Sequence, residues 1–181
     1  MRRLLWLVVL GLLLGGAFLY VDETSPPWYE RLRYPLHYSE YVRVHARQHR
    51  LDPALLAAVI YQESKFNADA KSDSGAIGLM QLTPSTAHGI AVRTGGHAFR
   101  TQDLYDPDIN IRYGSWYLDN LFRKYGSERL VLAAYNAGQG NVDRWRRNGE
   151  GIQFAETRAY VARVEKLKRI YADAWRSQLG K

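Results

Sequence analysis

The sequence predicts a mostly α fold: a single compact helical domain preceded by an N-terminal transmembrane helix. Three observations lead there. An uncharged run from Leu4 to Val21 opens the chain, helix-start signals built on proline recur after it, and no stretch alternates apolar and polar residues between turn signals as a strand requires. With 181 residues, 46% of them hydrophobic, the chain has apolar material for one packed domain rather than two.

The eighteen residues from Leu4 to Val21 match the roughly 18 to 20 that cross a bilayer at helical rise, and they carry no polar face of the kind a buried core helix shows. Arg2 and Arg3 before the run, against Asp22 and Glu23 after it, orient the N-terminus inward and place everything else outside the cytoplasmic membrane, in the periplasm or cell wall. A cleaved secretory signal ending near Gly15-Gly16-Ala17 is the competing reading, and it exports the domain equally well. The run continues through Phe18-Leu19-Tyr20-Val21, past the usual start of polar sequence, which favours an anchor at residues 4–21.

Residues 22–37 read as a spacer, since Ser25-Pro26-Pro27 and Pro35 disfavour helix. The domain proper is expected over residues 38–176, with a tail at 177–181. Leu51-Asp52-Pro53 supplies a capping carboxylate followed by proline at the first helical position, and Leu55, Leu56, Val59 and Ile60 continue as an apolar stripe. The same start signal returns as Thr83-Pro84, Asp106-Pro107 and, more weakly, Ser127, predicting helices over about 107–125, 128–137 and 157–175. Asn67 to Gly78, rich in Asp, Ser, Ala and Gly, reads as an irregular loop.

Composition excludes several chemistries. There is no cysteine, hence no disulfide, thiolate metal site, cysteine nucleophile or lipoprotein attachment. His37, His45, His49, His88 and His97 lack the spacing of a metal site, and no phosphate-cradling Gly-Lys-Ser/Thr motif occurs, so neither metal nor cofactor is expected. His45 and His49, four apart, read as a solvated face. The net charge of +7 and a pI near 9.7 favour acidic partners, but export makes nucleic acid an unsuitable one, and the basic runs at 144–147 and 163–169 read as solvated helix faces.

Glu63 stands out. Leu56, Ile60 and Glu63 are spaced by four and three residues, which projects a carboxylate along the buried stripe. Desolvation there would raise its pKa and keep it protonated near neutrality, as a general acid requires; taken alone, a glutamate bending into solvent at the helix end is the better reading, and the blocks around it shift that balance. Around it, Gln62-Glu63-Ser64, Gly75-Ala76-Ile77-Gly78-Leu79-Met80-Gln81, Ala134-Tyr135-Asn136-Ala137-Gly138 and Glu156-Thr157-Arg158-Ala159-Tyr160 follow in that order. In these blocks the chain resembles the Slt-type (family 1) lytic transglycosylases, over about Tyr38 to Trp175.

The resemblance implies a goose-lysozyme-like α domain that cleaves the β-1,4 bond between N-acetylmuramic acid and N-acetylglucosamine without consuming water. It places the acid/base at Glu63, which protonates the leaving oxygen and then deprotonates the muramic C6 hydroxyl to close a 1,6-anhydro ring. The substrate acetamido group and internal hydroxyl make a second carboxylate unnecessary, leaving Asp69 and Asp73 as turn residues. By the same resemblance Ser72, Gln81, Tyr135, Asn136, Glu156 and Tyr160 face the glycan, and Thr83 stands where the family often has methionine. Trp116 and Trp145 are candidates for sugar stacking whose bland role is core. The partners implied are peptidoglycan strands and, through residues 4–21, the membrane. A lysozyme-type hydrolase on the same fold and a non-catalytic peptidoglycan-binding assembly protein are the alternatives.

Overall fold

The computed structural model describes residues 26–180 continuously and, before them, residues 6, 7, 9, 11, 13–16, 20 and 24. The expected transmembrane segment lies largely outside the described residues, among which no helix is long and apolar enough to cross a membrane. Two units partition the chain, residues 1–35 and residues 36–181.

Within the first unit, α1 (Pro27–Arg33) corrects the expectation of a non-helical spacer. Pro27 occupies its first turn, where a missing N–H and a fixed φ cost nothing, so the prolines start this helix rather than prevent it.

The second unit is built from α2 (Ser39–Gln48), α3 (Pro53–Ser64), α4 (Pro84–Thr94), a 3₁₀ turn (Thr101–Tyr105), α5 (Pro107–Tyr125), α6 (Glu128–Ala137), α7 (Gln139–Arg147), α8 (Ala155–Ala174) and α9 (Arg176–Leu179). The proline-marked starts hold. Asp52, Thr83 and Asp106 each accept a hydrogen bond from a first-turn N–H of α3, α4 and α5. Within the stretch read as a tail, Leu179 of α9 is buried.

Helix α3 is the axis of the unit. Every residue from Ala54 to Ile60 is buried, so the apolar stripe read from sequence is in fact a helix covered on all sides. Its longest partner is α8, which lies against it with Tyr160, Val161, Val164, Leu167 and Tyr171 turned inward. Below the end of α3, Lys65 and Phe66 take left-handed φ of 53° and 63°, which reverses the chain directly after Ser64. Left-handed backbone is costly for these residues. The Phe66 ring is held in compensation against Tyr61 and Tyr171, at centroid distances of 6.5 and 6.2 Å.

His45 is another correction. It is buried, with Nε2 2.7 Å from Asp108 and Nδ1 3.0 Å from Gln48, so the face it occupies joins α2 to α5 instead of meeting water. Trp145 is core, packed edge-on against Phe154 at 5.0 Å.

Gly114 on α5 abuts Met80, and a Cβ there would collide with the Met80 sulfur. Gly114→Ala is therefore expected to lower unfolding stability by about 1–3 kcal/mol despite its better helix propensity. Urea denaturation at neutral pH checks this.

Candidate active site

Glu63 sits one residue before the end of α3, half-buried, with its carboxyl aimed at α8. The Tyr160 hydroxyl donates to Glu63 Oε1 at 2.6 Å across 97 residues of sequence. Desolvation pushes the carboxyl up from its ordinary 4.5 to about 7, and the Tyr160 hydrogen bond pulls against it without cancelling it. Burial, and next the charge on Glu63, hold the phenols of both Tyr160 and Tyr135 well above their ordinary range, so both stay protonated donors.

The loop between α3 and α4 forms one wall. It contains two isolated antiparallel bridges, Lys71 with Ile77 and Ile77 with Leu82, and otherwise no regular structure. Ser64, the residue after the acid, donates its hydroxyl to Leu79 O at 2.8 Å, and Tyr135 at the end of α6 donates to Met80 O at 2.6 Å. These bonds fold the loop back over the end of α3. Tyr117 from α5 packs on the Tyr135 ring at 5.6 Å.

The residues expected to face glycan are brought together unevenly. Tyr160 and Tyr135 flank Glu63 from α8 and α6. Gln81 takes a left-handed φ of 48° and spends its amide N–H groups on Ala70 O and Gly78 O, closing the loop on itself. Ser72 also works inside the loop, where its hydroxyl accepts from Ala76 N at 3.0 Å and meets Ser74 at 2.9 Å. Asn136 is exposed, its Oδ1 accepting from Thr157 at 2.7 Å, and Glu156 is exposed in the first turn of α8. Asp69 and Asp73 point outward and exposed.

Sequence reasoning gave no part to Thr157 or Tyr117. Thr157 lies inside a quoted motif and was legible as the hydroxyl that orients Asn136, whereas Tyr117 carried no separate signal. Trp116 is half-buried and lines a cavity of about 410 Å³ with His49, Ile90, Thr94, Arg112 and Tyr113. A neighbouring cavity of about 220 Å³ is lined by Trp116, Arg93, Tyr117 and Asn120. Glu63 lines neither of these two cavities, and Tyr117, which lines the smaller one, packs on Tyr135 beside the acid.

This geometry of one desolvated acid, two buried phenols and a tied loop has relatives. The family model of the transglycosylase SLT domain matches residues 40–156. The chain belongs to the transglycosylase SLT domain family. This SLT domain is similar to the soluble lytic murein transglycosylase of Escherichia coli (strain K12), 35% identical over 144 residues, which are 73% of this chain and 22% of that protein. It is 38% identical over 147 residues to a putative soluble lytic murein transglycosylase of Haemophilus influenzae, covering 75% of this chain and 25% of the other. Over 99 residues, 51% of this chain and 18% of the relative, it is 42% identical to the membrane-bound lytic murein transglycosylase F of Yersinia enterocolitica.

Solved structures agree on the fold. An inactive mutant of the lytic transglycosylase Slt from Pseudomonas aeruginosa superposes with a TM-score of 0.76 at 34% identity, over 81% of this chain and 26% of that one. The 70 kDa soluble lytic transglycosylase of Escherichia coli gives 0.74 at 32% identity, over 80% and 25%. The SLT domain spans about a quarter of the length of the curated soluble relatives it matches.

The raised Glu63 value has a stability consequence. A carboxyl whose folded pKa lies above its unfolded one stabilises the fold fully below about 4.5, and that contribution is lost as pH rises through about 7. Glu63→Gln, which keeps an acceptor for Tyr160, is expected to match wild type in urea at pH 4 and to exceed it at pH 8. The gain is at most about 3 kcal/mol, reduced by residual solvent contact.

Proposed function

We propose that this SLT domain is a peptidoglycan lytic transglycosylase in which Glu63 alone acts as general acid and then general base. The observation that carries the reading is the Glu63 carboxyl itself, raised to about 7 by burial and bonded to Tyr160 at 2.6 Å. Its relatives, soluble lytic murein transglycosylases, support the substrate.

In the first step protonated Glu63 gives its proton to the glycosidic oxygen linking N-acetylmuramic acid to N-acetylglucosamine, and the C1–O bond breaks as positive charge develops at C1. The substrate acetamido oxygen supports that centre. In the second step the muramic C6 oxygen bonds to C1 and its proton passes to the Glu63 carboxylate, which restores the acid and yields a 1,6-anhydromuramyl end. Tyr160 keeps its hydroxyl on Oε1 in both states, favouring the carboxylate when it forms. Ser72, Gln81, Tyr135, Asn136 and Glu156 are assigned to the glycan-facing wall. Gln81 and Ser72 contribute there mainly by shaping the loop, since their polar atoms bond within it.

Digestion of purified sacculi tests the chemistry. Products are expected to carry muramic ends lighter by one water, and Glu63→Gln to lose at least about 10³-fold in rate. Activity is expected to fall as pH rises through about 7, because the free enzyme must hold the proton. Reducing ends in place of anhydro ends would convert the assignment to a lysozyme-type hydrolase.

Residues 4–21 are proposed as a single-pass anchor that leaves the domain outside the cytoplasmic membrane. Fractionation of cells expressing the full chain is expected to place intact protein in the membrane pellet at high salt. Recovery of a shortened soluble form would establish signal cleavage.

A further inference from the structure

We propose that Asn110 on α5 is a positioning residue for this reaction, locking residues 77–80 of the loop in the register that sets the Met80 carbonyl for Tyr135 and closes the wall beside Glu63. The inference rests on the proposed function and extends it to a side chain that touches no substrate.

Asn110 is fully buried, and its carboxamide is consumed by backbone. Oδ1 accepts from Met80 N at 2.8 Å, while Nδ2 donates to Ile77 O at 3.0 Å and to Leu104 O at 2.8 Å. One acceptor facing an N–H and two donors facing two carbonyls fix the amide orientation and the residue type together. Aspartate would turn an acceptor toward Ile77 O and Leu104 O, and an apolar residue would leave Met80 N–H and Leu104 O without this partner, at about 1–3 kcal/mol each, while Ile77 O would keep only its bond from Leu82 N–H.

The approach of α5 to the loop is built for this contact. A Cβ on Gly78 would collide with the Asn110 amide and with Leu104 O, and Gly78 has a φ of 78°, so glycine is required there twice over. Gly114, one turn along α5 from Asn110, makes room for the Met80 side chain. The Met80 backbone is thereby held in both of its peptide units, the N–H by Asn110 and the carbonyl by Tyr135 at 2.6 Å. With only isolated bridges in the loop, these side-chain ties add to a few backbone bonds within it the fixing that a sheet ladder would give elsewhere.

Loss of the Asn110 tie frees Met80, releases Tyr135 and admits water to Glu63. The groups facing that carboxyl are Tyr160 from α8, bonded to it, and Tyr135 from α6, with Tyr117 behind Tyr135 and Arg163 on Gln62. None of these is an acid whose charge would hold Glu63 protonated once water enters.

The test is Asn110→Ala alone, Tyr135→Phe alone and the pair, assayed on soluble glycan strands and corrected for folded fraction. Leu121→Ala, at a buried α5 position away from the loop, serves as the control for general destabilisation. Asn110→Ala is expected to lower kcat about 10–100-fold with KM changed less than threefold. The pair should be no slower than the slower single variant, whereas Leu121→Ala keeps wild-type kcat. Full multiplication of the two losses, or an unchanged kcat in folded Asn110→Ala, overturns the proposal.

Titration of the Glu63 carboxyl by ¹³C NMR reads the same tie without turnover. The midpoint should fall from about 7 toward 4.5 in Asn110→Ala. A silent wild type in the sacculus assay would sink the proposed function while leaving this readout intact, and an unmoved midpoint would sink the positioning role alone. Should Asn110→Ala not fold, Asn110→Ser is taken through both measurements. Failure of both to fold assigns Asn110 to the fold and overturns the proposal.

Discussion

Two opposed effects meet on one carboxyl, and most of the second unit exists to hold them in balance. Burial at the end of α3 drives the Glu63 value up, the Tyr160 hydroxyl at 2.6 Å drives it down, and the result settles near 7. Neither effect is local. The burial depends on α3 being covered on every side, and the hydroxyl depends on α8 lying along α3 in a fixed register. A slip of α8 by one residue would rotate Tyr160 away by about 100°. The inward row of Val161, Val164, Leu167 and Tyr171 opposes such a slip, and the contact of Tyr171 with Phe66 ties the same helix to the reversal beyond Ser64.

The other side of the site is irregular backbone, and it is made rigid differently. A sheet would satisfy its own N–H and C=O groups throughout; this loop adds to backbone bonds such as Gly78 N–H to Ala70 O the side-chain ties of Ser64, Tyr135, Gln81, Ser72 and Asn110. Such ties are directional as well as stabilising. They fix the stretch of glycine, serine and alanine at the rim of the loop, while Ile77, Leu79, Met80 and Leu82 anchor it in the interior.

Legibility in the sequence followed the range of the interaction. Helix starts were readable because Asp52, Thr83 and Asp106 act on N–H groups within three residues, and the loop was readable from its turn residues. Glu63 was readable as an acid beyond an apolar face, although residues 54–60 of that helix are buried on every side and the helix end that carries the acid is half-buried. What failed was tertiary. Pro26-Pro27 reads as helix-breaking yet Pro27 heads α1, and His45 reads as solvated because its partner Asp108 lies 63 residues on. The fold turned Gln81 and Ser72 inward onto their own loop, which a motif cannot reveal. Asn110 left a trace that went unread: with Gly114, Leu118 and Leu121 it forms a buried helical row in which a lone carboxamide is out of place.

A value near 7 suits a group that must both give and reclaim a proton. An exposed glutamic acid at 4.5 would be protonated in roughly one molecule in 300 at pH 7, adding about 3 kcal/mol to any step that begins with proton donation. A carboxyl buried without the Tyr160 bond would hold its proton too firmly to leave a useful carboxylate behind. With the two effects opposed, donation and return lie close to balance, and a single side chain serves both halves of the proposed cycle. That economy holds only while water stays out, since water would lower the Glu63 value and compete with the C6 hydroxyl for the same centre. In the proposed cycle the ties on Met80 therefore bear on the choice between an anhydro ring and hydrolysis, even though no atom of that residue takes part in the chemistry.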